Sequence, residues 1–121
     1  MKTQKKSHDT HRYVIVVPES GHMYLLALDD GIRATARKML GASYVDVCPC
    51  GMDKHYHMVF AQTANGSGYN ESASRLAQEH LSGPVIIARG DKPGEMRGVS
   101  RGAALRAMEA FQAMVGGDGD V

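Results

Sequence analysis

The 121-residue chain contains no tryptophan, two phenylalanines and two cysteines, and neither sign of charge is in excess. Fourteen basic and thirteen acidic residues give a net charge of +1, which provides no overall electrostatic reason for binding nucleic acid. The shortage of aromatic rings removes the usual platform for stacking unpaired bases. Only one proline separates Cys48 from Cys50. Because so short a loop strains a disulfide, we expect reduced thiols.

Long hydrophobic runs are also missing from the sequence. No apolar run approaches the roughly 20 residues that span a membrane, and the basic residues 1–6 lead into no hydrophobic signal region. We therefore expect a cytoplasmic location and no membrane partner. The chain also has no nucleophile elbow and no phosphate-binding loop with its lysine. We expect a protein that is not an enzyme.

Hydrophobic periodicity and turn residues predict a single domain of residues 12–115, between a flexible basic arm (1–11) and a frayed tail (116–121). Strands are predicted at 12–17, 22–28, 43–48, 55–62 and 84–89, and helices near 31–40, 70–81 and 100–115. A mobile loop is predicted at 90–98. The order β-β-α-β-β-α-β-α predicts an α+β fold: a five-stranded, mainly antiparallel sheet with two to three helices packed on one face.

Local residue chemistry predicts where the helices begin and end. Asp29 or Asp30, Asn70 and Ser100 precede the three helical stripes and are expected to be N-caps. Gly41 is expected to end the first helix in a left-handed conformation.

Four side chains of the types that bind zinc lie within ten residues: Cys48, Cys50, His55 and His57. If residues 51–54 form a hairpin loop, Cys48 lies opposite His57 and Cys50 opposite His55, with all four on one wet face of the sheet. However, structural zinc knuckles separate their cysteines by two or more residues. We therefore favour reduced thiols, surface histidines and no cofactor. A small zinc-binding module is an alternative.

Basic residues are concentrated in the N-terminal arm and around the predicted loop at 90–98. They could follow a phosphate backbone, and the candidate nucleic-acid ligands are Lys5, Lys6, Arg12, Arg89 and Lys92. No aromatic residues for base stacking are interleaved among them. A solvated loop and a solubilising tail explain the same residues, so a nucleic-acid-binding accessory protein is a further alternative.

Three short motifs carry a family resemblance: LGASYVDVCP (residues 40–49), NGSGYN (residues 65–70) and SGPVII (residues 82–87). Residues 31–89 resemble a family of small uncharacterised domains carried by bacterial phages, plasmids and integrated elements. In that family a helix ends at a glycine before a strand, and a glycine-bearing turn and an asparagine follow, before a second apolar strand. The resemblance implies a mobile-element context.

A small domain with charged loops is expected to act by occupying a host protein. A counter-defence inhibitor such as an anti-CRISPR is the most specific form of this prediction. Such inhibitors bind through surface complementarity with a few anchoring side chains. The candidate contact residues are Tyr69, Met96, Arg97 and Arg101.

Overall fold

A computed structural model describes residues 11–61 and 68–116. The elements are β1 (Arg12–Val17), β2 (Tyr24–Leu28), α1 (Ile32–Leu40), β3 (Val45–Pro49), β4 (Tyr56–Ala61), α2 (Glu71–Ala77), β5 (Val85–Arg89), a short 3-10 turn (Pro93–Glu95) and α3 (Arg101–Gly116). The predicted element order and α+β class are confirmed. All five strands form one antiparallel sheet in the order β2-β1-β5-β4-β3. The predicted arm up to residue 10 and the tail from residue 117 lie outside the described residues.

The helices cover both faces of the sheet: α2 and α3 pack on one face, which agrees with the prediction of two to three helices there, and α1 packs on the other. Ile15 and Val17 of β1 belong to a core cluster that includes residues of α2 and α3. The alternate residues Val14 and Val16 belong to a second cluster that includes residues of α1. Two layers are possible because β1 and β5 are apolar at successive positions, as is typical of strands buried on both sides.

The predicted caps at Gly41, Asn70 and Ser100 are confirmed, but α2 ends at Ala77, four residues before the predicted end, because Gln78 takes a left-handed conformation with a φ of 62°. Gly41 ends α1 with a φ of 65°, and its N–H donates to the Arg37 carbonyl. Ser100 Oγ accepts the Ala103 N–H at 3.3 Å at the start of α3. At α1 the N-cap position is Gly31, one residue later than expected.

The Asn70 side chain joins three elements from a fully buried position. Its Nδ2 donates to the Val17 carbonyl at 3.1 Å, where β1 ends, and to the Gly83 carbonyl at 2.7 Å, just before β5. Its Oδ1 accepts the Ala73 N–H at 3.0 Å and caps α2. One amide therefore satisfies three backbone groups that burial would otherwise leave without partners.

β1 and β5 separate at one end, and the segment after the 3-10 turn enters between them. Tyr13 exchanges two backbone hydrogen bonds with Val99, at 2.8 and 3.0 Å, and Arg89 exchanges two with Arg97, at 3.2 and 2.8 Å. Gly98 lies between these pairs, where an added Cβ would be 2.8 Å from the side chain of Arg12. The segment predicted to be a mobile loop is therefore partly incorporated in the sheet.

Replacing Asn70 by alanine should lower the free energy of unfolding by about 2–4 kcal/mol, because two carbonyls and one N–H lose their partners. Ser100→Ala is the matched control, because it removes an exposed helix cap and should cost only about 0.5–1 kcal/mol. Urea denaturation measures both values. Equal losses in the two variants would contradict the structural role assigned to Asn70.

Candidate functional site at the end of the sheet

The β3–β4 hairpin has a register one residue away from the predicted one. Cys48 pairs with Met58, and Pro49 pairs with His57. Asp53 Oδ1 accepts the His55 N–H at 3.0 Å, which keeps His55 in the loop. A shift of one residue moves every side chain of a strand to the opposite face relative to its partner strand. The prediction that the two cysteines and two histidines share one wet face is therefore wrong.

Both cysteines point into the core that lies under α2. Cys48 is 7% exposed and Cys50 is 1% exposed, and the Cys50 thiol donates to the Leu76 carbonyl at 3.6 Å. Burial raises the pKa of Cys48 to about 12, and the negative charge of Glu79 contributes further. Burial also raises the pKa of Cys50. Because the thiolate is the reactive form of cysteine, these geometries favour inert, protonated thiols.

The two histidines hold the start of the segment that follows β5. His57 is 4% exposed, and its Nδ1–H donates to the Gly90 carbonyl at 2.7 Å. The exposed His55 places Nδ1 3.1 Å from Asp91 Oδ1, and its carbonyl accepts the Gly90 N–H at 2.8 Å. Among the described residues no three His, Cys, Asp or Glu side chains are grouped so as to hold a metal ion. The four residues predicted as zinc ligands are therefore not brought together.

Three of the four candidate contact residues lie at one end of the sheet. Arg97 begins the inserted segment, Met96 directly precedes it, and Arg101 is the first residue of α3. Tyr69 lies at the other end, where it bridges to Ser82 and its ring stacks on His80 at 4.8 Å. The six-residue strand β1 separates the two ends by roughly 20 Å at about 3.3 Å per residue. Tyr69 therefore does not belong to the same surface as the other three residues.

Arg89 and Arg97 are directly opposite each other in the sheet. Residues in such a pair project on the same face, with Cβ atoms about 5 Å apart. That face carries α3, whose first residue is Arg101. We call these three residues, Arg89, Arg97 and Arg101, the arginine surface.

The Arg89 guanidinium lies 5.5 Å from the centre of the Tyr56 ring. Within residues 11–61 and 68–116, none of the three arginines forms an ion pair.

A cavity of about 650 Å³ lies beside the arginine surface. Its charged lining residues carry both signs: Arg12, Asp29, Asp30 and Arg97. Its apolar lining includes Leu28, Ile32, Met96 and Val99. The cavity therefore offers a mixture of apolar and charged groups of both signs, which suits an amino-acid side chain better than a phosphate backbone.

The candidate nucleic-acid ligands are divided between different places. Arg12 projects on the α1 face and Arg89 on the opposite face. Lys92 is exposed in the turn after β5. Lys5 and Lys6 lie outside the described residues. The described members of this set therefore form no single basic track.

Sequence reasoning missed Gly98, Asp29 and Asp30 as components of this site. The two aspartates were expected as helix caps, yet both line the cavity. The sequence does contain a signal for Gly98. A glycine next to the β-branched Val99 is typical of a strand position that another backbone approaches closely.

Comparisons of this chain with protein-family models, with curated proteins and with solved structures each find no significant match. In the part of the chain that the structure describes, no helix combines the length and hydropathy needed to cross a membrane.

The cysteines of the folded protein should react slowly with a thiol reagent such as DTNB at mildly alkaline pH, because both are buried and have raised pKa values. Met52→Cys is the matched control, because Met52 is 43% exposed in the same hairpin loop. This variant should show one fast-reacting thiol, and denaturation should release the other two. Fast modification of the unsubstituted protein would contradict the described burial.

Proposed function

We propose that this chain is a non-enzymatic binding protein of a phage or other mobile element, which occupies a surface of a bacterial host protein that offers a carboxylate to the arginine surface. A counter-defence inhibitor such as an anti-CRISPR, acting in the host cytoplasm, is the most specific form of the proposal. The observation that carries it is the fixed position of Arg97 directly opposite Arg89, beside the cavity.

In the unbound protein, the positive charges of Arg97 and Arg89 repel each other. Like charges directly opposite each other in a sheet are destabilising, by up to about 1 kcal/mol. The inserted segment nevertheless fixes Arg97 by two backbone hydrogen bonds to Arg89. A carboxylate on a partner would relieve the repulsion and form charge-assisted hydrogen bonds. Because the backbone is already ordered, binding would lose little conformational entropy.

The charges around the arginine surface favour a protein partner over nucleic acid. Asp29 and Asp30 line the adjacent cavity, and Glu95 is exposed in the neighbouring turn. These carboxylates would repel a phosphate backbone, whereas protein interfaces commonly combine both signs of charge. Met96 adds an adaptable apolar contact at the cavity wall. Nucleic-acid binding therefore stays the second candidate, and the zinc-binding module gains no support from the hairpin.

Replacing Arg97 by glutamate should raise the free energy of unfolding by about 0.2–1 kcal/mol, because an opposite charge then faces Arg89. Urea denaturation measures the change. In an Arg89→Ala background the same Arg97→Glu substitution should give no such gain. A loss of stability in the first case, or an equal gain in both, would show that the two arginines do not interact as described.

The double substitution Arg97→Ala and Arg101→Ala should abolish capture of the host protein while leaving the fold intact. The assay is recovery of proteins from host lysate on the tagged chain after nuclease treatment, followed by mass spectrometry. The control replaces Arg33 and Arg37, two exposed arginines of α1, by alanine.

Recovery of one host protein by the unsubstituted chain and the control, but not by the double variant, is the expected result. Equal recovery by all three chains would place the contact elsewhere. Recovery that disappears with nuclease would favour the nucleic-acid alternative.

A further inference from the structure

The outer edge of β2 lacks the features that usually protect a sheet edge. β2 lies at one end of the strand order, and its sequence, YLLAL, contains no charge and no proline. The other edge strand, β3, carries Asp46 and Pro49. Charged residues and prolines are common devices against unwanted strand pairing. Within the described residues, nothing pairs with the outer side of β2.

The alternation of backbone hydrogen bonds identifies the groups on this edge. Tyr13 of β1 exchanges its backbone hydrogen bonds with Val99, on the side away from β2. The β1 residues that bond to β2 are therefore those at the alternate positions, such as Val14. Their partners in β2 are Tyr24, Leu26 and Leu28. The N–H and C=O groups of Leu25 and Ala27 therefore point outward, where no backbone hydrogen bond within residues 11–61 and 68–116 satisfies them.

We propose that β2 pairs in antiparallel fashion with β2 of a second copy of this chain, about a two-fold axis at Leu26. Leu25 of each copy would then exchange two backbone hydrogen bonds with Ala27 of the other, and Leu26 would face Leu26. Tyr24, which is 47% exposed, would lie opposite Leu28. With the axis at Leu26, all five residues of β2 take part in the pairing, and the two sheets become one continuous sheet. The exposed ring of Tyr24 is then covered.

The polar residues that flank β2 are complementary in this register, because an imidazole N–H can donate to a carboxylate. His22 precedes the strand, and Asp29 and Asp30 follow it, and all three are exposed. Antiparallel pairing about Leu26 places His22 of one copy opposite Asp30 of the other, whereas parallel pairing would place like groups together. A groove of about 390 Å³ between this edge and α1, lined by Leu26, Ala27 and Met39 among others, would lie along the joint.

Cysteine cross-linking tests the register. A new thiol from Leu26→Cys would face its symmetry mate in a pair that lacks direct hydrogen bonds, where Cα atoms are about 4.5 Å apart, within the reach of a disulfide. The control is Tyr24→Cys, a more exposed position whose two copies would lie four residues apart along the strands, about 13 Å. Mild oxidation should give covalent dimers of the first variant and not of the second. The buried native thiols of Cys48 and Cys50 should not compete.

Analytical ultracentrifugation of the full chain tests the interface itself. Ala27→Pro removes an outward N–H and leaves the ladder to β1 in place, so it should convert dimers to monomers. The control is Val47→Pro in the edge strand β3. The Cys50 N–H donates to the Tyr56 carbonyl of β4, so Cys48, two residues earlier, also bonds toward β4. The N–H of Val47, at the alternate position, therefore points outward. This variant should stay dimeric.

Three outcomes would overturn the proposal. The first is that the chain is monomeric at every concentration, even if β2 binds an extended segment of another protein. The second is a dimer that Ala27→Pro does not weaken. The third is cross-linking of the Tyr24 and Leu26 variants to the same extent. If Ala27→Pro fails to fold by circular dichroism, the cross-linking pattern decides.

Discussion

Four backbone hydrogen bonds hold Arg97 and Val99 between β1 and β5, and the candidate site depends on them. They place Arg97 opposite Arg89, bring Met96 to the wall of the cavity and determine where α3 begins. The insertion requires glycine at position 98, because any side chain there would meet the neighbouring strand. A segment whose composition is typical of a mobile loop is thereby made part of the sheet.

The other end of the same segment is held from the β3–β4 hairpin. The carbonyl of His55 and the ring of His57 both bond to Gly90, which leaves β5 with a φ of 155°. A Cβ at Gly90 would approach the Glu95 carbonyl to 3.0 Å. The two histidines that attract attention as metal ligands therefore have a structural explanation: they fix one end of the segment that carries Met96 and Arg97. The proposed binding surface is thus ordered before any partner arrives.

Much of the fold could be predicted from the sequence because its signals are local. Alternating apolar residues, the left-handed Gly41 and the caps at Asn70 and Ser100 indicate the eight elements and their order. The register of the β3–β4 hairpin could not be predicted in the same way, because it depends on hydrogen bonds inside the loop, from the His55 N–H to Asp53 Oδ1 and from the Tyr56 N–H to the Asp53 carbonyl. The division of the helices between two faces and the insertion of Arg97 between strands are set by contacts between distant parts of the chain.

Amide hydrogen exchange followed by NMR is the most direct test of the claim that the proposed binding surface is built into the sheet. We expect the N–H groups of Arg97 and Val99 to exchange as slowly as those in the centre of β1 and β5. The amides of Asp91 and Lys92, exposed residues that donate no backbone hydrogen bond in the described part of the chain, should exchange much faster. Exchange at Arg97 and Val99 as fast as at Asp91 and Lys92 would show that the segment is a mobile loop and that the binding surface is not built into the sheet.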